Sequence, residues 1–191
     1  MTTLEQKYVA AIEAGNLGLR ARLEAELDAT GRTEQARLNA PGALKAAARW
    51  YAKQGVAVFP CEPRGKKPIT RHGLNDATTD LAKITEWWTR TPQANIGAPT
   101  GITFDVIDID GREGVGATYG EGVIFPPEVG HSLTSRQAGH HIFIAPTGNG
   151  NRANIYPSVD YRGKGGYVIM PPSVGANGVR YVWTKPLTVE S

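Results

Sequence analysis

Cysteine is almost missing from this chain: Cys61 is the only one among 191 residues. No disulfide can close within the chain, and no multi-cysteine zinc site can be built. Such usage fits a reducing compartment. Long apolar runs are missing too. No stretch approaches the ~18 residues of a membrane span. MTTLEQKY at the start has no basic region followed by an apolar run, so it does not read as a secretory leader. The expectation is a cytoplasmic protein with no membrane partner. A strong charge of one sign is also lacking. The formal net charge is +3, too mild to announce a nucleic-acid binder by itself. There is no GxxxxGK[ST] loop, hence no helicase motor, and no internal repeat.

What is present divides near residue 40. Residues 4 to 39 are polar and helix-patterned. LEQKYVAAIEAG stops at Gly15, and Leu19, Leu23 and Leu27 recur at i, i+4 and i+8 before Gly31. This segment carries no catalytic constellation and reads as a helical appendage or connector over 1–40. The remainder, 41–187, reads as one domain large enough to bury a core.

In that remainder ALKAAARWYAKQG predicts a helix closed by Gly55, and VAVFP a short buried strand. DLAKITEWWTRTP predicts a second helix with Asp80 as its N-cap. Trp87 and Trp88 read there as packing residues. ANIGAPTG reads as a strand edge and turn, and FDVIDIDG as a strand. The glycine-rich stretch REGVGATYGEGVIFPPEVG supports no assignment. HSLTS, HHIFIAP, VDYRG, GYVIMPPS and VRYVWT then follow as strands. The expected class is α+β, a sheet with the first-half helices over one face.

The chemistry-bearing residues fall on three of these strands. Alternate residues of a strand share a face, so Asp108 and Asp110 point the same way, roughly 6–7 Å apart. Two carboxylates so placed repel unless a cation stands between them. Their spacing suits a pair of divalent ions roughly 3.5–4 Å apart, the arrangement that drives in-line displacement at phosphorus. An isolated DxDG is also a common Asp-Gly turn, in which Asp110 bonds its own backbone. In HHIFIAP, His140 shares a face with Ile142 and Ile144, whereas His141 takes the opposite one. If the isoleucines face the helices, His141 projects from the open face, where an imidazole can meet a phosphate oxygen. Asp160 offers a third carboxylate. It precedes YRGKGG, whose glycines permit close backbone approach and whose N–H groups suit an anion. Arg162 and Lys164 are placed for phosphate contact. A second basic loop holds Arg64, Lys66, Lys67 and Arg71.

An acidic DxD, then Gly139-His140-His141 as a small-x-His motif, then Val159-Asp160 as apolar-Asp, resembles in that order the archaeo-eukaryotic primase superfamily. It is closest to the bifunctional DNA primase/polymerase N-terminal domains of phage and plasmid replication proteins. ALKAAARWYAKQGVAVFP, GKKP, ATTDLAKITEWW, ANIGAPTG and DYRGKGGYVIMPPS carry the same texture, so the likeness spans roughly residues 43 to 184. One departure is Ser135-Arg136-Gln137-Ala138-Gly139, where the family often shows Ser-Gly-Gly.

The resemblance implies an RRM-like palm sheet joined to an α/β unit. Asp108, Asp110 and Asp160 would bind two Mg²⁺ or Mn²⁺ ions, and His141 would contact the incoming nucleotide. Ser135, Arg136, Arg162 and Lys164 would hold triphosphate or template. Lys66 and Lys67 would lie near the site or along the template. The implied activity is template-directed synthesis and extension of DNA primers. Its substrates would be dNTPs, with NTPs as a further class, and a single-stranded DNA template. A helicase domain on the same or an associated chain, in a host bacterial cytoplasm, would complete the replication protein of which this chain would be an N-terminal piece. The alternative is a non-catalytic single-strand or origin-binding module, which has no use for clustered carboxylates that repel DNA. A nuclease or relaxase would want a His-x-His cluster, and none is found.

Overall fold

The computed structural model describes residues 43–189, and the helices expected over 1–40 lie outside the described residues. Helix α1 (Leu44–Lys53) buries Leu44, Ala47, Ala48, Tyr51 and Ala52, one stripe of a 3.6-residue repeat. It ends in paired C-terminal bonds, Val56 N–H to Tyr51 C=O and Gly55 N–H to Ala52 C=O, both 3.0 Å. Gly55 takes the positive φ of 80° that this closure requires. Helix α2 (Leu81–Arg90) starts as predicted. The Asp80 carboxylate accepts the N–H groups of Ala82 (2.8 Å) and Lys83 (3.4 Å). Of the tryptophan pair, Trp88 is buried and donates Nε1–H to Ala94 C=O at 2.9 Å, while Trp87 is half-buried. Among the described residues no helix is long and apolar enough to cross a membrane.

The strands form two antiparallel sheets rather than one. The smaller contains β1 (Phe59–Cys61), β2 (Asn95–Pro99) and β8 (Tyr167–Met170), with β2 in the middle. ANIGAPTG is therefore a central strand, not an edge. The larger sheet has the order β6-β7-β3-β5-β4-β9, built from β3 (Asp105–Ile109), β4 (Glu128–Leu133), β5 (His140–Ile144), β6 (Arg152–Tyr156), β7 (Val159–Arg162) and β9 (Val182–Lys185). The α+β class is as expected. The unassigned stretch holds a short helix α3 (Gly111–Val115) and a π-helical turn, Gly116–Gly120. Strand β6 was not foreseen, because its side chains are mostly exposed and give no alternating pattern.

Both faces of the larger sheet are covered at its centre. Phe104, Val106, Phe143 and Trp183 join α1, α2 and the Ile96, Ala98, Val168 and Met170 face of the smaller sheet in the main core. Ile107, Ile109, Ile142, Ile144 and Val159 form a second cluster with Val115 and Phe125 on the opposite side. This reverses the expected arrangement: the face shared with Asp108 and His141 is the one that turns toward α1 and α2. Asp108 and His141, on that same face, stay outside the main core cluster and line a cavity instead. A third cluster, Phe59, Cys61, Ile169 and Tyr181, packs behind the smaller sheet. Burial, then the neighbouring Glu62 charge, pushes the Cys61 thiol up to about 12, leaving it protonated and inert. Across the main core Trp183 donates Nε1–H to Tyr51 Oη (2.7 Å), and Tyr51 donates its hydroxyl to Pro171 C=O (2.7 Å). That chain ties α1 to both sheets.

Candidate active site

Strand pairing brings the predicted residues together. In the antiparallel ladders Asp108 stands opposite His141 of β5 on one side and opposite Asp160 of β7 on the other. Directly opposed residues share a face, so three side chains from distant stretches meet in one row. His141 Nε2 lies 3.3 Å from Asp108 Oδ1. Arg162 Nη2 bonds Asp160 Oδ2 at 2.7 Å and reaches Asp108 Oδ2 at 3.4 Å. The other Asp160 oxygen accepts the Asn154 N–H at 2.9 Å.

Asp110 follows a different course. It occupies the N-cap position of α3 but makes no side-chain capping bond. The Asp-Gly turn reading therefore fails, and the carboxylate faces Arg136 Nη1 at 3.3 Å. The two acids of the DxD are electrostatically unlike. Burial works to raise the Asp108 carboxyl, but His141, Arg162 and Lys66 outweigh it and hold it at about 2. Asp110 is raised above the ordinary carboxylate value, first by burial and then by the Asp108 charge, against opposition from Arg136 and Lys66.

A cavity of about 250 Å³ opens onto this row between the two sheets. Lys66, Asp108, His141, Arg162, Tyr167 and Tyr181 line it together with Gly165 and Gly166. Asp160 and Asp110 flank the cavity rather than line it. Of the paired lysines only Lys66 enters; Lys67 points to Glu62 at 4.0 Å on the outside. Lys164 is exposed, and its backbone packs against Gly101. Ser135 is not part of the lining, and its carbonyl accepts from Asn177 Nδ2 at 2.8 Å. Arg136 joins only through Asp110.

The glycine loop does not offer the expected cradle of free N–H groups. Gly163 donates to Asn151 Oδ1, Lys164 to Asn149 C=O and Gly166 to Gly163 C=O. At Gly166 a Cβ would stand 2.3 Å from Asn151 Oδ1, so the glycine is there to let Asn151 pack against the loop. Asn151, Tyr167 and Tyr181 are cavity residues that sequence reasoning missed, since all three are delivered by contacts between the sheets. Ser132 was missed as well. It stands opposite His141 in the β4–β5 register, and both its Oγ and His141 Nδ1 are buried without hydrogen-bond partners. Knowledge of that strand pairing is the one signal that would have found it. His140, on the reverse face, bonds His131 Nε2 through Nδ1 at 3.0 Å and takes no part in the cavity.

Carboxylate oxygens at 108, 110 and 160 are the hard donors that Mg²⁺ and Mn²⁺ accept. The cationic groups crowding them, Arg162, Arg136 and Lys66, mark a place that demands positive charge. Among the described residues, however, no group of three or more His, Cys, Asp or Glu side chains stands ready to enclose a cation. The expected three-aspartate cage is not preformed, because Asp110 turns to Arg136 and Arg162 occupies the space between Asp108 and Asp160. The donor chemistry fits a divalent ion once Arg162 moves aside.

No curated protein matches the chain. A family model described as "Bifunctional DNA primase/polymerase, N-terminal" matches residues 48–190, a span that contains every residue of the row and of its cavity. The chain belongs to the bifunctional DNA primase/polymerase N-terminal family.

Proposed function

We propose that residues 41–187 form a template-directed nucleotidyltransferase that synthesises and extends DNA primers. The observation that carries this reading is the Asp160–Asp108–His141 row at the mouth of a cavity that also holds Arg162 and Lys66. A bound Mg²⁺ or Mn²⁺ pair would supply Lewis acidity at the attacking 3′-hydroxyl and at the α-phosphate.

The chain's own residues do the remainder. Asp108, ionised across the whole neutral range, gives the row a permanent negative charge. Asp160 and Asp110 complete the oxygen donor set. His141, held by Asp108 at one nitrogen, presents a fixed imidazole to the nucleotide phosphates. Arg162 compensates Asp108 and Asp160 at rest and turns to the triphosphate when that charge is met otherwise. Lys66 approaches from the opposite wall and holds the far end of the triphosphate. Tyr167 and Tyr181 narrow the cavity and shield the reacting atoms from water. The partners are single-stranded DNA and dNTPs, with NTPs as a second class of substrate. A helicase motor on the same or an associated chain would supply the unwound template.

The decisive experiment is extension of a labelled primer with dNTPs and Mn²⁺ by the wild type and by Asp108→Asn. Extension by the wild type alone supports the reading, no extension by the wild type defeats it, and equal extension by both removes Asp108 from the catalytic centre. A binding-only module is favoured by one observation, that Arg162 and Arg136 already pair with the three acids. Mn²⁺ titration followed by paramagnetic resonance separates the two. Saturable binding that Asp108→Asn weakens supports the enzyme, and no binding supports the module.

A further inference from the structure

The basic loop that delivers Lys66 to the catalytic cavity also builds a second concavity. A groove of about 420 Å³ lies between that loop and α2, and Ile69, Arg71, Lys83, Trp87 and Arg90 are among its walls. Lys66 and Ile69 are three residues apart, so the groove begins within about 11 Å of backbone from the cavity wall. The loop between them is pinned rather than loose. Tyr167 donates its hydroxyl to Lys66 C=O (3.1 Å), Ile69 N–H bonds Pro60 C=O (3.0 Å), and Asn95 Nδ2 bonds Gly65 C=O (2.8 Å).

The charge in the groove is unbalanced. Arg90 is held by Glu86 at 2.6 Å, and Asp76, which accepts the His72 backbone N–H at 2.9 Å and feels the Lys83 charge, is the one acid lining the groove against Arg71, Lys83 and Arg90. Arg71 and Lys83 are exposed and form no ion pair among the described residues. The Lys83 ammonium stands 4.9 Å from the Trp87 ring centre, which places a cation and an aromatic face at the same point. Ile69 adds an exposed apolar side chain beside them. Backbone-tracking cations interleaved with an aromatic platform are what a single-stranded polynucleotide requires. Phosphates meet the cations, and any unpaired base offers a face for stacking.

We propose that this groove is a binding track for the single-stranded template outside the catalytic cavity, a proposal that rests on the polymerase reading above. Arg71 and Lys83 bind phosphates, and Trp87 stacks an unpaired base in the place where Lys83 covers the ring at rest. A duplex hides its base faces and gains only the phosphate contacts.

The test measures fluorescence anisotropy of a labelled oligothymidylate with the full chain over a salt series. Arg71→Ala/Lys83→Ala is expected to weaken binding about tenfold and to flatten the log–log salt slope by about 1.4, two phosphates at 0.7 each. Trp87→Leu is expected to weaken it about fivefold or more while leaving the salt slope unchanged. Thermal melts confirm that it folds, and the surface double variant keeps the test valid if it does not. In primer extension the double variant raises the template KM and leaves turnover at saturating template unchanged. Unchanged affinity and slope in the double variant overturn the proposal, and so does equal competition by duplex and single strand. If the wild type does not extend primers while the groove variants lose binding, the polymerase reading fails and the groove stands.

Discussion

Asp108 and His141 are cross-strand partners whose Oδ1 and Nε2 atoms lie 3.3 Å apart, while the second ring nitrogen of His141 is buried without a partner. The carboxylate therefore fixes one side of the imidazole and leaves its other side to Ser132, the next residue across in the ladder. This geometry makes the histidine a rigid element of the cavity wall.

Replacing His141 by Ala should accordingly separate nucleotide use from template binding. The apparent dNTP KM is expected to rise about tenfold or more, the loss of one charge-assisted contact, with single-strand affinity unchanged. Steady-state extension at varied dNTP, alongside anisotropy, checks this. An unchanged KM excludes His141 from the nucleotide site.

Asp108→Asn should lower extension by at least about 100-fold, in line with loss of a group that positions a catalytic ion. The fold should survive, because Arg162 keeps its 2.7 Å bond to Asp160. Extension rates and thermal melts read out the two halves of this prediction.

Arg162→Ala carries an expectation of opposite signs. The guanidinium competes for the oxygens that a divalent ion would use, so removing it should tighten Mn²⁺ binding several-fold while extension falls about 10- to 100-fold. A binding isotherm measured beside an extension assay tests both. Parallel loss of metal affinity and activity would contradict the role of Arg162 as a resident counter-charge.

Tyr51→Phe should destabilise the domain by about 1–3 kcal/mol. The change removes the acceptor of Trp183 Nε1–H and the donor to Pro171 C=O, both buried. A drop in the melting temperature without loss of single-strand binding is the expected result.

Acidification should destabilise the fold as pH falls from about 6.5 toward about 4. Burial, followed by neighbouring charges, lowers the His131 and His140 rings to about 4 from an ordinary value near 6.5. His131 faces Glu128 and feels Lys185 and His141, and His140 feels His131 and His141. Both rings are held neutral in the folded state, so the unfolded chain binds more protons between those values. Their contribution is fully present above pH ~6.5 and is lost as pH falls toward ~4. Denaturant melts at pH 7.5 and 4.5 measure the slope, and His131→Gln/His140→Gln should flatten it.

Much of this was legible from residue pattern because the relevant physics is local. Asp80 caps α2 because the residue before an amphipathic run needs a side-chain acceptor. Asp108 and His141 share a face once their strands pair, as period-2 alternation allows. Strand β6 escaped because an exposed edge strand has no buried face to leave a signature. Helix α3 escaped because Gly111 and Gly114 depress helix propensity and only packing on Ile109 and Ser158 makes up for it. Which face of β3 turned to α1 and α2 was misjudged, since both faces carry apolar residues and only the second sheet decides between them. The turn of Asp110 to Arg136, and the arrival of Lys66, Tyr167 and Tyr181 in one cavity, depend on how the two sheets meet, which no short window of sequence encodes.

The sealed, protonated Cys61 has a practical corollary for the bench. Because the chain's one native thiol is shut inside the packing behind the smaller sheet, a cysteine engineered at an accessible position would be the single nucleophile open to maleimide or photocrosslinker. Probes could then be walked along the protein's exterior to map a bound strand without first deleting any natural side chain.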